Sequence, residues 1–347
     1  MFNEIILDDR KEKILYAIID SYLNFAEPAG SRFISKNYEI GVSPATIRNE
    51  MSELEDLGLL TKSHVSSGRI PSNKAYRYYV NNILNLYKKN IIIENQNSIT
   101  KLTNNRYIDF EKIIKSSAKV LASLTDYLVI TMMIKPLDIT LSHIELLSIG
   151  DNDYVLITVY DSGDVNNSVI RFENKLEVED LKKINFILYN VLVGKNITEI
   201  DNNRQMIFQK LSKYSRLRKS IDYILQKEME NYNRYDISFE GISKIFDFPE
   251  YNDLEKARDF IRFIENEKNI TRLLSKENND YIQVYIGEEN KEHLLNDNTL
   301  IISNYYLDSH SNGKIAIIGP TRMEYHKTIE AMLKLSWKIN NLSNSGL

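Results

Sequence analysis

The first 71 residues contain three helix signals in a row followed by a hairpin signal, and this order constrains the fold more than any other feature of the chain. The first signal begins at Asp9 and places apolar residues on one side: Ile14, Leu15, Ile18, Ile19 and Tyr22. The second follows the turn AEPAG, with Ser31 in the position of a helix cap. The third has Ser43 as its cap, Pro44 as its first helical residue and Gly58 as its C-terminal stop.

The hairpin signal is the segment LLTKSHVSSGRI, which offers two short extended pieces around the turn residues Ser66, Ser67 and Gly68. A further helix signal follows it, with an apolar stripe formed by Tyr76, Tyr79, Val80, Ile83 and Tyr87. Three helices and a hairpin are the parts of a winged helix. The sequence therefore predicts a winged helix-turn-helix domain over residues 1–87.

The rest of the chain predicts a second domain of the α+β class that is divided by an insertion. Residues 88–106 are mostly polar and lack a sustained period, so we expect a linker there. Strand patterns occur at 127–134, 143–149, 154–160 and 168–172, and again at 281–286, 300–306 and 314–318. We expect both groups to form one sheet, built from residues 107–174 and 250–347, with a mainly helical insertion over residues 175–249.

Charge and composition exclude several classes of protein. The 347 residues include 44 Lys and Arg against 48 Asp and Glu, which excludes a wholly basic coat protein and makes any nucleic-acid contact local. Residues 57–93 contain six basic side chains and no acidic one. The chain has no cysteine, which excludes disulfides, thiolate metal sites and a cysteine nucleophile. Without a signal-peptide pattern or an apolar run long enough to span a bilayer, a cytoplasmic protein with no membrane contact is expected.

The third helix predicts a nucleic-acid contact surface. Ile47, Met51 and Leu54 share one face and should pack inward, so the opposite face presents Ala45, Arg48, Asn49 and Ser52. Arginine can pair with guanine and asparagine with adenine in the major groove of DNA, and Thr46 and the cap Ser43 flank these residues as further candidates. The alternative is a polar helix face that is simply solvated.

The hairpin adds positive charge beside that helix, in Lys62, His64 and Arg69. Arg69 is the favoured contact of the wing; the alternative, a surface arginine paired with an acid, loses weight because residues 57–93 contain no acid. His64 is expected only to hydrogen-bond or stack. Ser31 and Arg32 could contact phosphate at the start of the second helix, although Ser31 could equally be a plain cap.

Six stretches resemble the signature segments of the HrcA family, the heat-inducible transcription repressors of bacteria. Three lie near the N-terminus: EPAGSRFIS, SPATIRNEMSELEDLGLL and SHVSSGRIPSNKAYRYYV. The others lie in the last third of the chain: IFDFPEYND, KENNDYIQVYIGEEN and GKIAIIGPTRMEYHKTI. The resemblance therefore extends from one end of the chain to the other, with a divergent middle.

The resemblance implies a repressor that binds, as a homodimer, a long inverted repeat (the CIRCE element) upstream of chaperone operons. It implies a winged helix, a GAF-like α+β domain and a dimerisation domain inserted into it, which matches the division predicted above. It also implies that a chaperonin of the GroEL type promotes the DNA-competent state. No cofactor is expected.

Two other functions remain as alternatives. A winged-helix regulator could sense a small effector through the GAF-like domain, although apolar strands such as LVITMMI are more simply sheet core. An enzyme is not expected, because no phosphate-binding glycine motif and no nucleophile with a nearby base is apparent. The five histidines are too scattered for a helical two-histidine metal motif: His64, His143, His293, His310 and His326.

Overall fold

A computed structural model of the chain describes residues 6–63, 68–94, 110–134, 139–163, 165–196, 199–200, 218–231, 235–275, 281–306 and 312–344. The chain divides into two compact units. The first unit comprises residues 1–133 and 237–347, and the second comprises residues 134–236. None of the helices in these described segments is both long and apolar enough to cross a membrane.

The N-terminal part of the first unit, residues 6–87, is called the head here. Its elements follow the predicted order: α1 (Asp9–Phe25), α2 (Ser31–Asn37), α3 (Pro44–Asp56), β1 (Leu60–Lys62), β2 (Arg69–Pro71) and α4 (Asn73–Glu94). The strands β1 and β2 pair antiparallel. The helix α4 extends into the predicted linker, whose remaining residues lie outside the described part of the chain.

Local capping explains where α3 begins and ends. The hydroxyl of Ser43 accepts a hydrogen bond from the backbone N–H of Thr46 at 3.2 Å, and Pro44 occupies the first helical position, as predicted. Gly58 follows the helix with φ +73°, a conformation that favours glycine, so the predicted stop is also confirmed. The predicted cap on α2 is wrong by one residue, because Gly30 precedes the helix and Ser31 is its buried first residue.

The remainder of the first unit, called the body, contains a five-stranded sheet with strand order β7-β3-β10-β9-β8. Its strands are β3 (Leu128–Ile134), β7 (Tyr235–Glu240), β8 (Ile282–Ile286), β9 (Asn298–Tyr306) and β10 (Asn312–Pro320). Its helices are α5 (Phe110–Thr125), α8 (Leu254–Glu265), α9 (Glu267–Leu274) and α10 (Tyr325–Asn344). The central strands β3, β9 and β10 are nearly continuous buried runs, and α10 packs on β9 and on α5.

The second unit has a core of its own. A three-stranded antiparallel sheet, in the order β4-β5-β6, packs one face against α6. The elements are β4 (Leu141–Ser148), β5 (Asp153–Tyr160), β6 (Val165–Arg171), α6 (Val178–Leu192) and α7 (Arg218–Asn231). Along β5, buried residues alternate with half-buried ones, as expected for a sheet with one covered face.

The structure corrects the predicted single sheet. Strands β4, β5 and β6, which were expected to pair with the later strands, form a separate sheet in the second unit. Strand β7, which falls inside the predicted insertion over residues 175–249, joins the five-stranded sheet instead. Alternation of apolar and polar residues identifies a strand but carries no information on its partner, so the strands were found and their grouping was not.

Candidate nucleic-acid interface

The two faces of α3 are arranged as the sequence predicts. Ile47, Met51 and Leu54 are buried in the core of the head, together with apolar residues of α1 and α4. The opposite face therefore has to point to solvent. Four of the predicted contact residues are exposed on it: Ala45, Arg48, Asn49 and Ser52.

The N-terminal half of this face presents polar groups that are available to a ligand. Among the described residues, no ion pair or hydrogen bond engages the side chains of Arg48 and Asn49. Thr46 is half-buried, and its hydroxyl lies 3.0 Å from that of Ser43, which is exposed at the cap. Arg48 and Asn49 are thus the groups best placed to pair with base edges, with Thr46 and Ser43 beside them.

Two of the four acidic residues of α3, Glu50 and Glu53, form ion pairs with α1. Lys11 lies 3.2 Å from a carboxylate oxygen of Glu50 and 3.1 Å from one of Glu53, and Arg10 lies 3.6 Å from Glu50. The hydrogen bond with Asp8, followed by those with Glu53 and Glu50, raises the pKa of Lys11 above its usual value. Lys11 therefore stays charged and offsets acidic groups that would otherwise repel phosphates beside the exposed face.

The base of the hairpin holds an ion-pair cluster formed by Glu55, Lys62 and Arg69. The Nε of Arg69 donates to Glu55 at 2.8 Å, and the Nζ of Lys62 lies 3.1 Å from the other carboxylate oxygen. The argument against a paired Arg69 was wrong, because Glu55 lies just outside the acid-free range and α3 brings it to the hairpin.

The two cations of this cluster differ in exposure. The side chain of Arg69 is only 16% exposed, whereas that of Lys62 is 68% exposed. The backbone of Arg69 also exchanges two hydrogen bonds of 2.9 Å with Ala29, which fastens the hairpin to the turn before α2. Arg69 thus supports the hairpin, and Lys62 presents a cation to solvent from the described part of it.

The remaining predicted contact residues are placed differently. Arg32 is exposed on α2, and the described residues offer it no ion pair. Ser31 is buried, so its side chain is not available to phosphate in this conformation. His64 lies outside the described residues. Sequence reasoning missed Glu55 and Lys11, since nothing in their spacing indicates a partner on another element.

The contribution of the ion-pair cluster to the stability of the fold should depend on pH. Partial burial acts to raise the pKa of Glu55, but pairing with Lys62 and Arg69 outweighs it and holds that pKa below its usual value. A depressed pKa contributes stability above the unfolded-state pKa, and this contribution is lost as pH falls through the folded-state value. Glu55→Gln should therefore lower the thermal unfolding midpoint near neutral pH, and its difference from wild type should vanish in acid. A difference that is constant with pH would contradict this.

Cavities and clusters of titratable side chains in the described residues bear on catalysis and effector binding. Two surface cavities, of about 580 and 300 Å³, lie at the turn between α2 and α3 and on α6, and neither is lined by the five-stranded sheet. Within the described segments, no three His, Asp or Glu side chains are grouped as metal ligands would be.

Comparison with known proteins decides the family. The model of the HrcA protein C-terminal domain matches residues 111–329. The heat-inducible transcription repressor HrcA of Thermoanaerobacter sp. (strain X514) is 37% identical over 342 residues, which cover 97% of each chain. The chain belongs to the HrcA family. The HrcA repressor of Clostridium tetani (strain Massachusetts / E88) is 36% identical and covers 97% of this chain and 95% of its own.

A solved structure supports the fold of this HrcA chain. It is described as a hypothetical protein at 2.2 Å resolution, and it matches with a TM-score of 0.61 and 21% identity over 97% of this chain and 98% of its own. At that identity the match shows the fold alone. As a member of a family of heat-inducible transcription repressors, the chain is a negative regulator of heat-shock transcription and not an enzyme.

Proposed function

We propose that the head is a winged helix-turn-helix domain that inserts the N-terminal half of α3 into the major groove of an inverted-repeat operator, the CIRCE element. The observation that carries this proposal is the exposure of Arg48 and Asn49 on α3, where no other described residue bonds their side chains. Arginine can bond guanine O6 and N7, and asparagine can bond adenine N6 and N7. Ala45, Thr46 and Ser52 line the same face and would contact neighbouring bases or the T methyl group.

The hairpin and α2 would contact the DNA backbone. Lys62 is the exposed cation of the hairpin and suits a phosphate contact, while Arg69 holds the hairpin in place through Glu55. Arg32 and the cap Ser43 would lie at backbone positions on either side of α3. His64 stays a predicted contact of the hairpin turn, and Ser31 would contribute through its backbone amide.

Lys62 and Arg69 should therefore behave differently when substituted. Lys62→Ala should weaken binding to all DNA sequences alike, because it removes one cation that neutralises a phosphate. It should also reduce the salt dependence of binding by about one phosphate contact. Arg69→Met should instead lower the thermal unfolding midpoint, since it leaves Glu55 partly buried beside a single cation. Binding measured across a salt series, together with thermal unfolding, separates the two. Equal effects of both variants on the salt slope would contradict the division of roles.

We further propose that the chain acts as a homodimer that pairs through the β4-β5-β6 sheet of the second unit, which directly precedes the predicted dimerisation segment over residues 175–249. The face of the β4-β5-β6 sheet opposite α6 carries several apolar side chains, with Glu145 and Asn167 among them. Its outward side chains include Leu147, Val155, Ile157, Val165 and Val169. Leu147, Val155 and Val169 lie side by side across the three strands, and Val165 and Val169 are 59% and 66% exposed. Exposed apolar side chains grouped in this way are typical of a protein interface. A twofold dimer would match a palindromic operator.

The proposed interface can be tested by a substitution that introduces one charged side chain. Val169→Asp should convert the dimer to a monomer, because a carboxylate would be desolvated against its symmetry mate. Asn252→Asp, at an exposed position of the body, adds the same charge outside the second unit and should leave the dimer intact. Light scattering of the purified variants measures the mass. A Val169→Asp dimer as stable as wild type would exclude this face.

The GAF-like assignment of the body and the role of a GroEL-type chaperonin complete the proposal. The five-stranded sheet with α10 packed on it, and α5 packed on α10, supports a GAF-like domain. The resemblance to the HrcA segments supports the chaperonin, which would act by favouring the DNA-competent conformation over an inactive one. Purified chaperonin should therefore raise the fraction of repressor that binds the operator. No change at saturating chaperonin would overturn this part of the proposal.

A further inference from the structure

The helix α4 belongs to the cores of both the head and the body. On the head side, the hydroxyl of Tyr78 donates to Glu12 at 2.9 Å, and the amide of Asn82 donates to Glu12 at 3.0 Å and to Tyr16 at 2.6 Å. Tyr16 also stacks edge-on against Tyr79, with ring centroids 5.1 Å apart. These contacts join α4 to α1, and α1 packs on α3, so whatever holds α4 also orients α3.

On the body side, Arg77 makes the charged contact that the described residues show. The Nε of Arg77 donates to Glu289 at 2.9 Å, and its Nη2 bonds both to the second carboxylate oxygen of Glu289 and to the carbonyl of Val284 at 2.6 Å. The side chains of Arg77 and Glu289 are 18% and 26% exposed. Glu289 is itself fixed by the N–H of Ile286 at 2.8 Å. A bidentate contact between a guanidinium and a carboxylate fixes both the distance and the angle between the two groups.

Aromatic packing beside Arg77 adds to the contact between α4 and the body. Tyr76 and Tyr79 contact the ring of Tyr325 at centroid distances of 5.6 and 6.5 Å. Tyr325 is fully buried and held through its hydroxyl, which lies 2.8 Å from that of Thr299. At the start of α4, a side chain added at Gly287 would overlap the amide of Asn73.

We propose that Arg77 is a positioning residue for operator binding, which fixes the head on the body through Glu289 so that both heads of a dimer reach their half-sites at once. The inference rests on the proposed function and adds to it the residue that sets the geometry of the two recognition helices. When one head is bound, a fixed attachment of head to body gives the second head a high effective concentration at its half-site. A flexible attachment gives it a low one. Arg77 does this without touching DNA.

The test compares a duplex carrying the full inverted repeat with a duplex carrying one half-site. Arg77→Met should lose about tenfold or more in affinity for the full repeat and less than about twofold for the half-site, because the reading surface of each head is unchanged. Gly287→Ala should have the same effect from the body side, since it displaces Asn73 and also strains a residue at φ +56°.

Arg322→Met is the matched control. Arg322 forms a similar two-pronged pair with Glu250, at 2.5 and 3.2 Å, and its side chain is 14% exposed, but both residues lie in the body. This variant should leave the ratio of full-repeat to half-site affinity at the wild-type value. If loss of a half-buried ion pair acted only by destabilising the fold, Arg77→Met and Arg322→Met would change the affinity ratio alike.

Two results would overturn the proposal: an equal loss on both duplexes for Arg77→Met, or an unchanged ratio in a folded variant. Failure of the proposed function is visible separately, in the wild type. If the wild-type protein does not prefer the full repeat to a scrambled duplex, the operator assignment fails first, and the role of Arg77 fails with it.

Discussion

Arg48→Ala should weaken binding to the inverted-repeat operator by about 1–3 kcal/mol for each half-site and relax the base preference at one position of that half-site. The side chain is exposed on α3, and no ion pair within the described residues ties it to the protein. Its removal therefore costs contacts to DNA and leaves the fold of the head intact. A bidentate contact to guanine has this signature, since the wrong base leaves donors unpaired.

The matched control for Arg48→Ala is Arg262→Ala. Arg262 lies on α8 in the body, its side chain is 71% exposed, and its loss removes the same charge. Competition binding against operators substituted at each position, at one fixed salt concentration, measures both variants. Equal losses for the two, or a loss by Arg48→Ala that is uniform over all sequences, would mean that Arg48 makes no base contact.

Met51→Asp should unfold the head. Met51 is 4% exposed among Ile14, Ile18 and Leu54, and an ionised carboxylate in an apolar core costs several kcal/mol. Met51→Leu keeps the volume and the apolar character, so it should cost less than about 1.5 kcal/mol. Chemical denaturation and hydrogen exchange of the α1–α3 amides give the stability of each variant. Loss of DNA binding by Met51→Asp without loss of protection in the head would contradict the inward face assigned to this residue.

The head could be predicted from the sequence because its determinants are local. Ser43 and Pro44 define the start of α3, Gly58 defines its end, and the spacing of Ile47, Met51 and Leu54 gives its buried face. Each of these signals acts within one or two helical turns. The exposure of Arg48 and Asn49 can be predicted from the buried face alone, because they lie on the opposite side of the helix.

The other features depend on partners far apart in the chain. The pairing of Arg69 with Glu55 depends on how α3 lies against the hairpin, and the pairing of Arg77 with Glu289 joins residues separated by 212 positions. The membership of β7 in the five-stranded sheet likewise depends on a return of the chain after the second unit. Neither residue type nor periodicity specifies such partners, so a single sequence leaves them open.

The most direct test of the account is the binding of the full chain to a chaperone-operon inverted repeat and to a scrambled duplex of the same composition, followed by fluorescence anisotropy at one fixed salt concentration. Specific binding should exceed non-specific binding by about a thousandfold or more, with two protomers on each repeat. Equal affinity for the two duplexes, from a protein shown to be folded and dimeric in the same buffer, would contradict the claim that α3 reads an inverted repeat.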